Sequence, residues 1–195
     1  MLNSVQCGDK DTKPLWLATM RTLRSSFEHD QDGKISSSSH HSGWHKVNML
    51  CAEFWQSPTH LTAIASPLIS QLSHATNQAT VNQISAELIP TIVELASAAD
   101  SPDNHKDLNT AIMKFMRVGS ASALGDNAYT RLAAVKCELA LTERLGEEWL
   151  ALLPEMLPYI SELMEDDDEN VEKEVRRWVL AIEEVLGEKL DDMLV

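Results

Sequence analysis

The strongest constraint on the fold is a repeat in the last third of the sequence. Residues 126–147 and 167–188 align at an offset of 41 positions, which pairs Asp126 with Asp167. A period near 40 residues built from helical segments is typical of HEAT and armadillo repeats. One such unit cannot bury its apolar face alone, so consecutive units stack and expose extended surfaces. The sequence therefore predicts an all-α, HEAT/armadillo-like helical repeat solenoid whose function is binding.

Charge is distributed unevenly along the chain. Residues 1–137 contain 12 acidic and 11 basic side chains, whereas residues 138–195 contain 18 acidic and 5 basic ones. Nucleic-acid binding draws most of its affinity from Lys and Arg side chains that neutralise phosphates. We therefore expect the C-terminal segment to contact proteins and to repel RNA.

Cysteine usage and hydropathy predict a soluble, intracellular chain. The three cysteines are odd in number and widely spaced, so they suggest no disulfide framework. No run approaches 18 consecutive apolar residues, and the first residues lack the apolar core of a signal peptide. We expect neither a membrane partner nor a small-molecule substrate.

Local patterns divide the chain into three regions. Residues 1–32 contain one predicted helix, from about Pro14 to Phe27, with flanking residues. Residues 33–52 include four consecutive serines and are predicted to be a disordered polar insert. Residues 53–195 are predicted to be HEAT-like helical repeats, of which residues 147–195 form an acidic C-terminal cap.

Apolar stripes at helical spacing predict the helices of the repeat region. The first begins at Pro58, and the second spans Val81 to about Ala98 and bends at Pro90. A turn over residues 100–103 precedes a short helix around residues 108–116. The first repeated helix buries one face, formed by Leu132, Val135, Leu139 and Leu145.

Caps and turns are predicted at specific residues of the repeat. Asp126 or Asn127 caps the first repeated helix, and Gly146 ends it in a left-handed C-cap. One continuous helix follows from Glu147 to about Met164, and the corresponding positions of the last helix are Asp167 and Gly187. The structural positions that we single out are Asp126, Gly146, Pro154, Pro158, Asp167 and Gly187.

The acidic run before the last helix has two interpretations. It consists of Glu165, Asp166, Asp167, Asp168 and Glu169. Such a run usually forms a solvated turn that caps a helix, because negative charge is favourable at a helix N-terminus. We favour capping, and we keep docking of a basic protein partner as a second role.

Two segments resemble metal sites only in part. Residues 28–39 match the first positions of an EF-hand calcium loop, but Ser39 stands where a bidentate Glu is required. His40, His41, His45 and Cys51 offer zinc-binding atoms at a spacing that fits no standard pattern. Cys137 takes the place of Trp178 in the repeat, which favours packing over nucleophilic catalysis. We therefore expect neither a cofactor nor a catalytic site.

Residues 143–190 resemble a known family. The most specific pieces are Leu152-Leu153-Pro154-Glu155, Glu162-Leu163-Met164-Glu165-Asp166 and Val185-Leu186-Gly187-Glu188. They are similar to the extreme C-terminal end of the U3 small nucleolar RNA-associated protein 10 family, which is called HEAT repeat-containing protein 1 in animals. Upstream, residues 26–30, 54–58 and 67–72 are similar to the preceding region of that family.

The resemblance implies a scaffold of the small-subunit processome, the early pre-ribosome. Such a protein acts in pre-rRNA processing and 18S rRNA maturation and supports rRNA gene transcription by RNA polymerase I. Its partners would be other processome proteins and the remaining repeats of its own protein, with indirect association to U3 RNA and pre-rRNA. The expected location is the nucleolus within the nucleus. Family members are many times longer, so we expect this chain to be a fragment or a shortened gene product.

The polar insert suggests a hypothesis of its own. The family-like text continues smoothly if Asp32 is joined to Glu53, and residues 33–52 begin with Gly-Lys, which a GGTAAG splice-donor string can encode. We hypothesise that this segment is an intron translated in frame. A mature transcript that always retains these codons would contradict the hypothesis.

Two other classes of function remain open at this stage. One is a generic HEAT-type protein-binding adaptor, which co-purification with processome subunits would distinguish. The other is a calcium sensor built on the EF-hand-like loop. A calcium titration that leaves the tryptophan fluorescence unchanged would exclude the sensor.

Overall fold

A computed structural model describes residues 58–98, 101–117 and 124–190 of the chain. The helix predicted at Pro14–Phe27 and the polar insert at residues 33–52 lie outside these residues. The described part is helical and contains no β-strand. The all-α prediction is therefore confirmed.

The helices have the following bounds. In chain order they are α1 (Pro58–Ser70), a 3-10 turn (Gln71–His74), α2 (Gln78–Gln83), a π-helical segment (Ile84–Leu88), α3 (Ile89–Ala98), α4 (Pro102–Met113), α5 (Ala128–Leu145), α6 (Glu147–Leu150), α7 (Leu153–Leu163) and α8 (Glu169–Leu186).

These helices pack as successive pairs in two layers. One layer contains α2 with α3, then α5, then α8, and the most extensive packing within it is between α5 and α8. The other layer contains α1, α4 and α7, each of which packs against its partner in the first layer. Such stacked pairs are the architecture of a helical repeat solenoid.

Contacts between α5 and α8 show that these helices run parallel. Lys136 Nζ lies 3.3 Å from Glu174 Oε2. Further along both helices, Trp178 Nε1 donates to Thr142 Oγ1 at 2.9 Å. Both helices have 18 residues and start 41 positions apart. The sequence period is thus the structural period, because it relates equivalent helices of consecutive units.

Helix α5 is buried around most of its circumference, and the prediction of a single inner face is incomplete. Besides Leu132, Val135 and Leu139, the small residues Ala133 and Ala134 are buried. The cause is its central position, since α3, α4 and α8 all pack against it. A helix that other helices contact on several sides buries residues on more than one face, so a single inner face does not describe α5.

The single helix predicted from Glu147 to about Met164 is instead two helices. Helix α6 ends at Leu150, and α7 begins at Leu153 after a turn. Pro154 lies in the first turn of α7, where its missing N–H leaves no hydrogen bond unmade. Proline is best tolerated in the first turn of a helix, and the start of α7 at Leu153 places Pro154 in that turn.

Two other local predictions change in the structure. Proline 90 was expected to bend its helix, and the segment just before it, Ile84–Leu88, is π-helical. In a regular α-helix the ring of Pro90 would clash with the carbonyl of residue 86. The wider π-helical turn contains residue 86 and relieves this clash. Of the turn predicted at residues 100–103, residue 100 lies outside the described residues, and Pro102 and Asp103 already belong to α4, which follows Ser101 in extended conformation.

Candidate protein-binding surface

The acidic turn contains one carboxylate that points into the protein. Asp166 Oδ2 accepts from Arg131 Nε at 2.7 Å, and Asp166 Oδ1 accepts from Arg131 Nη2 at 2.8 Å. The two side chains are 2% and 7% exposed. This buried, two-pronged ion pair joins the turn before α8 to the start of α5.

Arg131 also binds the backbone that precedes α5. Its Nη1 donates to the carbonyl oxygens of Gly125 and Asp126 at 2.7 and 3.2 Å. A Cβ atom at Gly125 would lie 2.0 Å from the Arg117 carbonyl oxygen, so only glycine fits this crossing. Asp166 therefore has a structural role, and its assignment to a docking surface is wrong because its carboxylate is enclosed.

Each repeated helix is capped by the residue after the aspartate of the repeat, so of the two caps predicted for α5 the structure confirms Asn127. Asp168 Oδ1 accepts from the backbone N–H groups of Asn170 and Val171 at 2.9 and 3.3 Å. At the equivalent position in α5, Asn127 Oδ1 accepts from Tyr129 N at 2.9 Å. The residue directly before the first helical residue has the extended backbone from which a side chain reaches these groups. Asp126 and Asp167 precede it and are exposed.

The two glycines that end the repeated helices differ in conformation. Gly187 has φ 73° and ψ 11°, which is the left-handed C-cap predicted from the sequence. Gly146 has φ 57° but ψ −128°, which lies outside the left-handed helical region. Its backbone turns directly into α6, which begins at the next residue.

Pro158, another of the predicted structural positions, lies inside α7 at an exposed position.

The solvent-facing side of α8 differs from the equivalent side of α5. Leu132 and Val135 are buried, whereas their counterparts 41 residues later, Lys173 and Arg176, are exposed. Leu139 is buried, and its counterpart Leu180 is 59% exposed. Charged side chains thus occupy positions where another repeat would stack, as expected of a terminal repeat with a polar outer face.

A fully buried carboxyl group lies between consecutive units. Glu138 Oε2 accepts from Trp149 Nε1 at 2.8 Å, and Oε1 has no hydrogen-bond partner. Burial raises the pKa of Glu138 to about 8, against a smaller lowering by the Trp149 hydrogen bond. Burial, with a contribution from Glu138, also raises the pKa of the adjacent Cys137 thiol. The neutral acid and the protonated thiol are therefore packing groups at neutral pH.

The described residues contain neither a metal-binding cluster nor a membrane-spanning helix. No group of three or more His, Cys, Asp or Glu side chains there could hold a metal ion. No helix in the same residues has the length and apolarity needed to cross a membrane. The EF-hand-like loop and the histidines at positions 40, 41 and 45 with Cys51 lie outside the described ranges.

Sequence reasoning missed the Arg131–Asp166 pair and the buried state of Glu138. The pair joins residues 35 positions apart, and the 41-residue repeat does not predict it because residue 125, the counterpart of Asp166, is glycine. For Glu138 a signal did exist. It is flanked by apolar residues at Ala134, Val135, Cys137, Leu139 and Leu141, which occupy most of the directions around this stretch of the helix.

The sequence matches named fungal proteins over its whole length. It is 67% identical over 195 residues to the U3 small nucleolar RNA-associated protein 10 of Coccidioides immitis. It is 62% identical over 199 residues to the protein of the same name in Aspergillus clavatus, and 61% identical over 198 residues to that in Neosartorya fischeri. All of this chain is covered, but it spans only about a tenth of each relative's length. No protein-family model matches the chain.

Proposed function

Since this chain is a homologue of the C-terminal end of the U3 small nucleolar RNA-associated protein 10 family, we propose that it is a non-catalytic scaffold segment of the small-subunit processome. In this role it contributes to pre-rRNA processing and 18S rRNA maturation and to efficient rRNA gene transcription by RNA polymerase I. Its place of action is the nucleolus.

The observation that carries this proposal is the stacking of α5 and α8 in parallel at the 41-residue period. Solenoids of this kind act through extended surfaces, because each unit contacts only its neighbours and leaves its outer positions free. The described helices are arranged in two layers in this way. A scaffold is therefore the role that this architecture suits best.

Charge favours proteins as the direct partners of this end. Residues 138–195 hold 18 acidic and 5 basic side chains, which disfavours contact with phosphates. We propose that U3 RNA and pre-rRNA are reached through other processome proteins and through the remaining repeats of the full-length protein.

The outward carboxylates of the acidic turn are a candidate docking site for a basic protein segment. Glu165, Asp167 and Glu169 are exposed, whereas Asp166 is enclosed and Asp168 caps α8. Only the three exposed residues are therefore proposed to take part in docking.

Affinity purification of the full-length protein tests the function. We expect early pre-ribosomal proteins, U3 RNA and pre-rRNA to co-purify, and we expect loss of 18S rRNA when the gene product is depleted. A partner set without early pre-ribosomal proteins would contradict the proposal and favour a generic adaptor.

The docking role has a separate test within that experiment. Changing Glu165, Asp167 and Glu169 together to Gln removes three surface charges and leaves the cap and the buried pair in place. We expect selective loss of one or more protein partners. An unchanged partner set would show that the turn is only a solvated connection.

A further inference from the structure

Three polar side chains among the described residues have buried atoms with no hydrogen-bond partner in the protein. These atoms are the amide nitrogen and oxygen of Asn109, the Oε1 atom of Glu138 and the hydroxyl oxygen of Ser97. Asn109 and Glu138 are both 0% exposed. Buried polar groups in folded proteins nearly always have a partner, so these atoms require an explanation.

Two of these side chains lie close to one aromatic contact on α4. The His105 and Trp149 rings meet edge to face with 5.6 Å between their centroids, and the Trp149 indole donates to Glu138. His105 Nε2 lies 3.1 Å from the Ala96 carbonyl oxygen, and Ser97 is the next residue. Helices α3, α5 and α6 therefore all approach α4 at His105.

Helices α4 and α5 run antiparallel. The Arg117 carbonyl oxygen, just after α4, crosses closely over Gly125, just before α5. His105 is near the start of α4, and its neighbour Trp149 follows the end of α5. The start of each helix thus lies beside the end of the other.

This direction places Asn109 beside the stretch of α5 that contains Glu138. Asn109 follows His105 by one helical turn, so the two residues share a face of α4. Side chains of a helix tilt toward its N-terminus, and in α5 this tilt carries the Glu138 carboxyl group from the level of His105 toward that of Asn109. The unpartnered atoms of both residues therefore lie in one region between α4 and α5.

We propose that ordered water is bound in this region and bridges the Asn109 amide to the Glu138 carboxyl group. A buried water molecule usually makes about three hydrogen bonds to polar groups that would otherwise be unpaired. The amide supplies both N–H donors and an acceptor oxygen, and a neutral carboxyl group can donate or accept. Such a bridge joins α4 of one layer to α5 of the other.

Other occupants fit this site less well. The acceptor oxygen of Asn109 would oppose an anion, and its N–H groups would oppose a metal ion. Both Asn109 and Glu138 are fully enclosed, which favours a molecule of the size of water over a larger ligand. Water also matches the mixture of donors and acceptors, because it offers both itself.

Magnetic relaxation dispersion of the solvent oxygen-17 nucleus tests the proposal, because it counts water molecules that stay inside a protein longer than its tumbling time. The measurement uses the full chain and its variant Asn109→Leu, which replaces the amide by an apolar group of similar size. Asn82→Leu, at an exposed amide of α2, is the matched control. Circular dichroism verifies the fold, and Asn109→Met replaces Asn109→Leu if the latter does not fold.

We expect the unaltered chain to hold long-lived water and Asn109→Leu to lose at least one such molecule. Asn82→Leu should keep the full number, and so should Glu138→Gln, because its amide can still bind water. No long-lived water in the unaltered chain would overturn the proposal and favour a direct bond between the two side chains. An unchanged number in the Asn109 variant would also overturn it, since the water would then lie elsewhere.

Discussion

The buried carboxyl group of Glu138 makes stability depend on pH. Its pKa is about 8 in the folded chain against an ordinary value of 4.5. A carboxyl group whose pKa is higher in the folded state contributes its full stabilisation when the pH is below its unfolded-state pKa, here 4.5. This stabilisation is lost as the pH rises through the folded-state pKa of about 8. We expect the free energy of unfolding to fall by up to about 1.4 kcal/mol per pH unit in between.

Glu138→Gln tests this directly. The amide oxygen can still accept from Trp149 Nε1, and the group no longer ionises. We expect the variant to resemble the unaltered chain near pH 5 and to be more stable at pH 8, as measured by urea unfolding across that range. Glu143→Gln, at an exposed position of the same helix, is the control. Identical pH profiles of stability for Glu138→Gln and the unaltered chain would contradict a raised pKa at Glu138.

Asp166 gives a second prediction, because its charge is enclosed with that of Arg131. Asp166→Asn leaves the guanidinium buried and unpaired, which costs about 3–5 kcal/mol. The control Glu172→Gln breaks an exposed pair with Arg176 and should cost at most about 1 kcal/mol. Urea unfolding midpoints at unchanged slope provide the comparison. Equal effects of the two changes would show that the Arg131–Asp166 pair is exposed in solution.

The cap of α8 distinguishes adjacent residues of the acidic turn. Asp168 accepts two backbone N–H groups, so Asp168→Ala should cost about 1 kcal/mol. Asp167→Ala removes a similar charge without a cap bond and should change stability by no more than about 0.5 kcal/mol. Thermal unfolding of the two variants measures the difference. A larger loss of stability for Asp167→Ala than for Asp168→Ala would show that Asp167 caps α8.

The helices themselves could largely be predicted from the sequence. The proline at the start of α1 and Gly187 after α8 mark helix limits that agree with the structure. The break between α6 and α7 is not visible in the sequence pattern, because the apolar residues on its two sides continue in one helical register, and only Pro154 in the first turn of α7 marks the new start. Helix boundaries depend on such single backbone groups, whereas stripes depend on many side chains.

The candidate surface could be predicted less well than the fold. The acidic turn is visible in the sequence, but which of its carboxylates face water depends on Arg131, a residue 35 positions away from Asp166. The repeat identifies equivalent positions, and only the packing of α8 against α5 shows that Lys173 and Arg176 stand where another unit would stack. Contacts between distant residues supply this information, and a local pattern does not contain it.

As a whole, the described part consists of helix pairs stacked one on another, with α5 and α8 related by the 41-residue period. This arrangement distinguishes a solenoid from a closed bundle. Equivalent helices of consecutive units run parallel, whereas neighbours along an up-and-down bundle run antiparallel. The proposed scaffold role depends on this geometry, since it is what keeps both layers open to partners.

Distances between spin labels measure that geometry most directly. Labels at Ala128 and Glu169 mark the starts of α5 and α8, and labels at Glu143 and Glu184 mark their ends, in the chain with Cys7→Ser and Cys51→Ser. For parallel stacking, pulsed electron paramagnetic resonance should give two short and similar distances, consistent with axes about 8–10 Å apart. The crossed pair, Ala128 with Glu184, should be longer because about 15 residues of helix rise, roughly 22 Å, separate its ends. A crossed distance as short as the matched ones, or two very unequal matched distances, would contradict the stacked repeat.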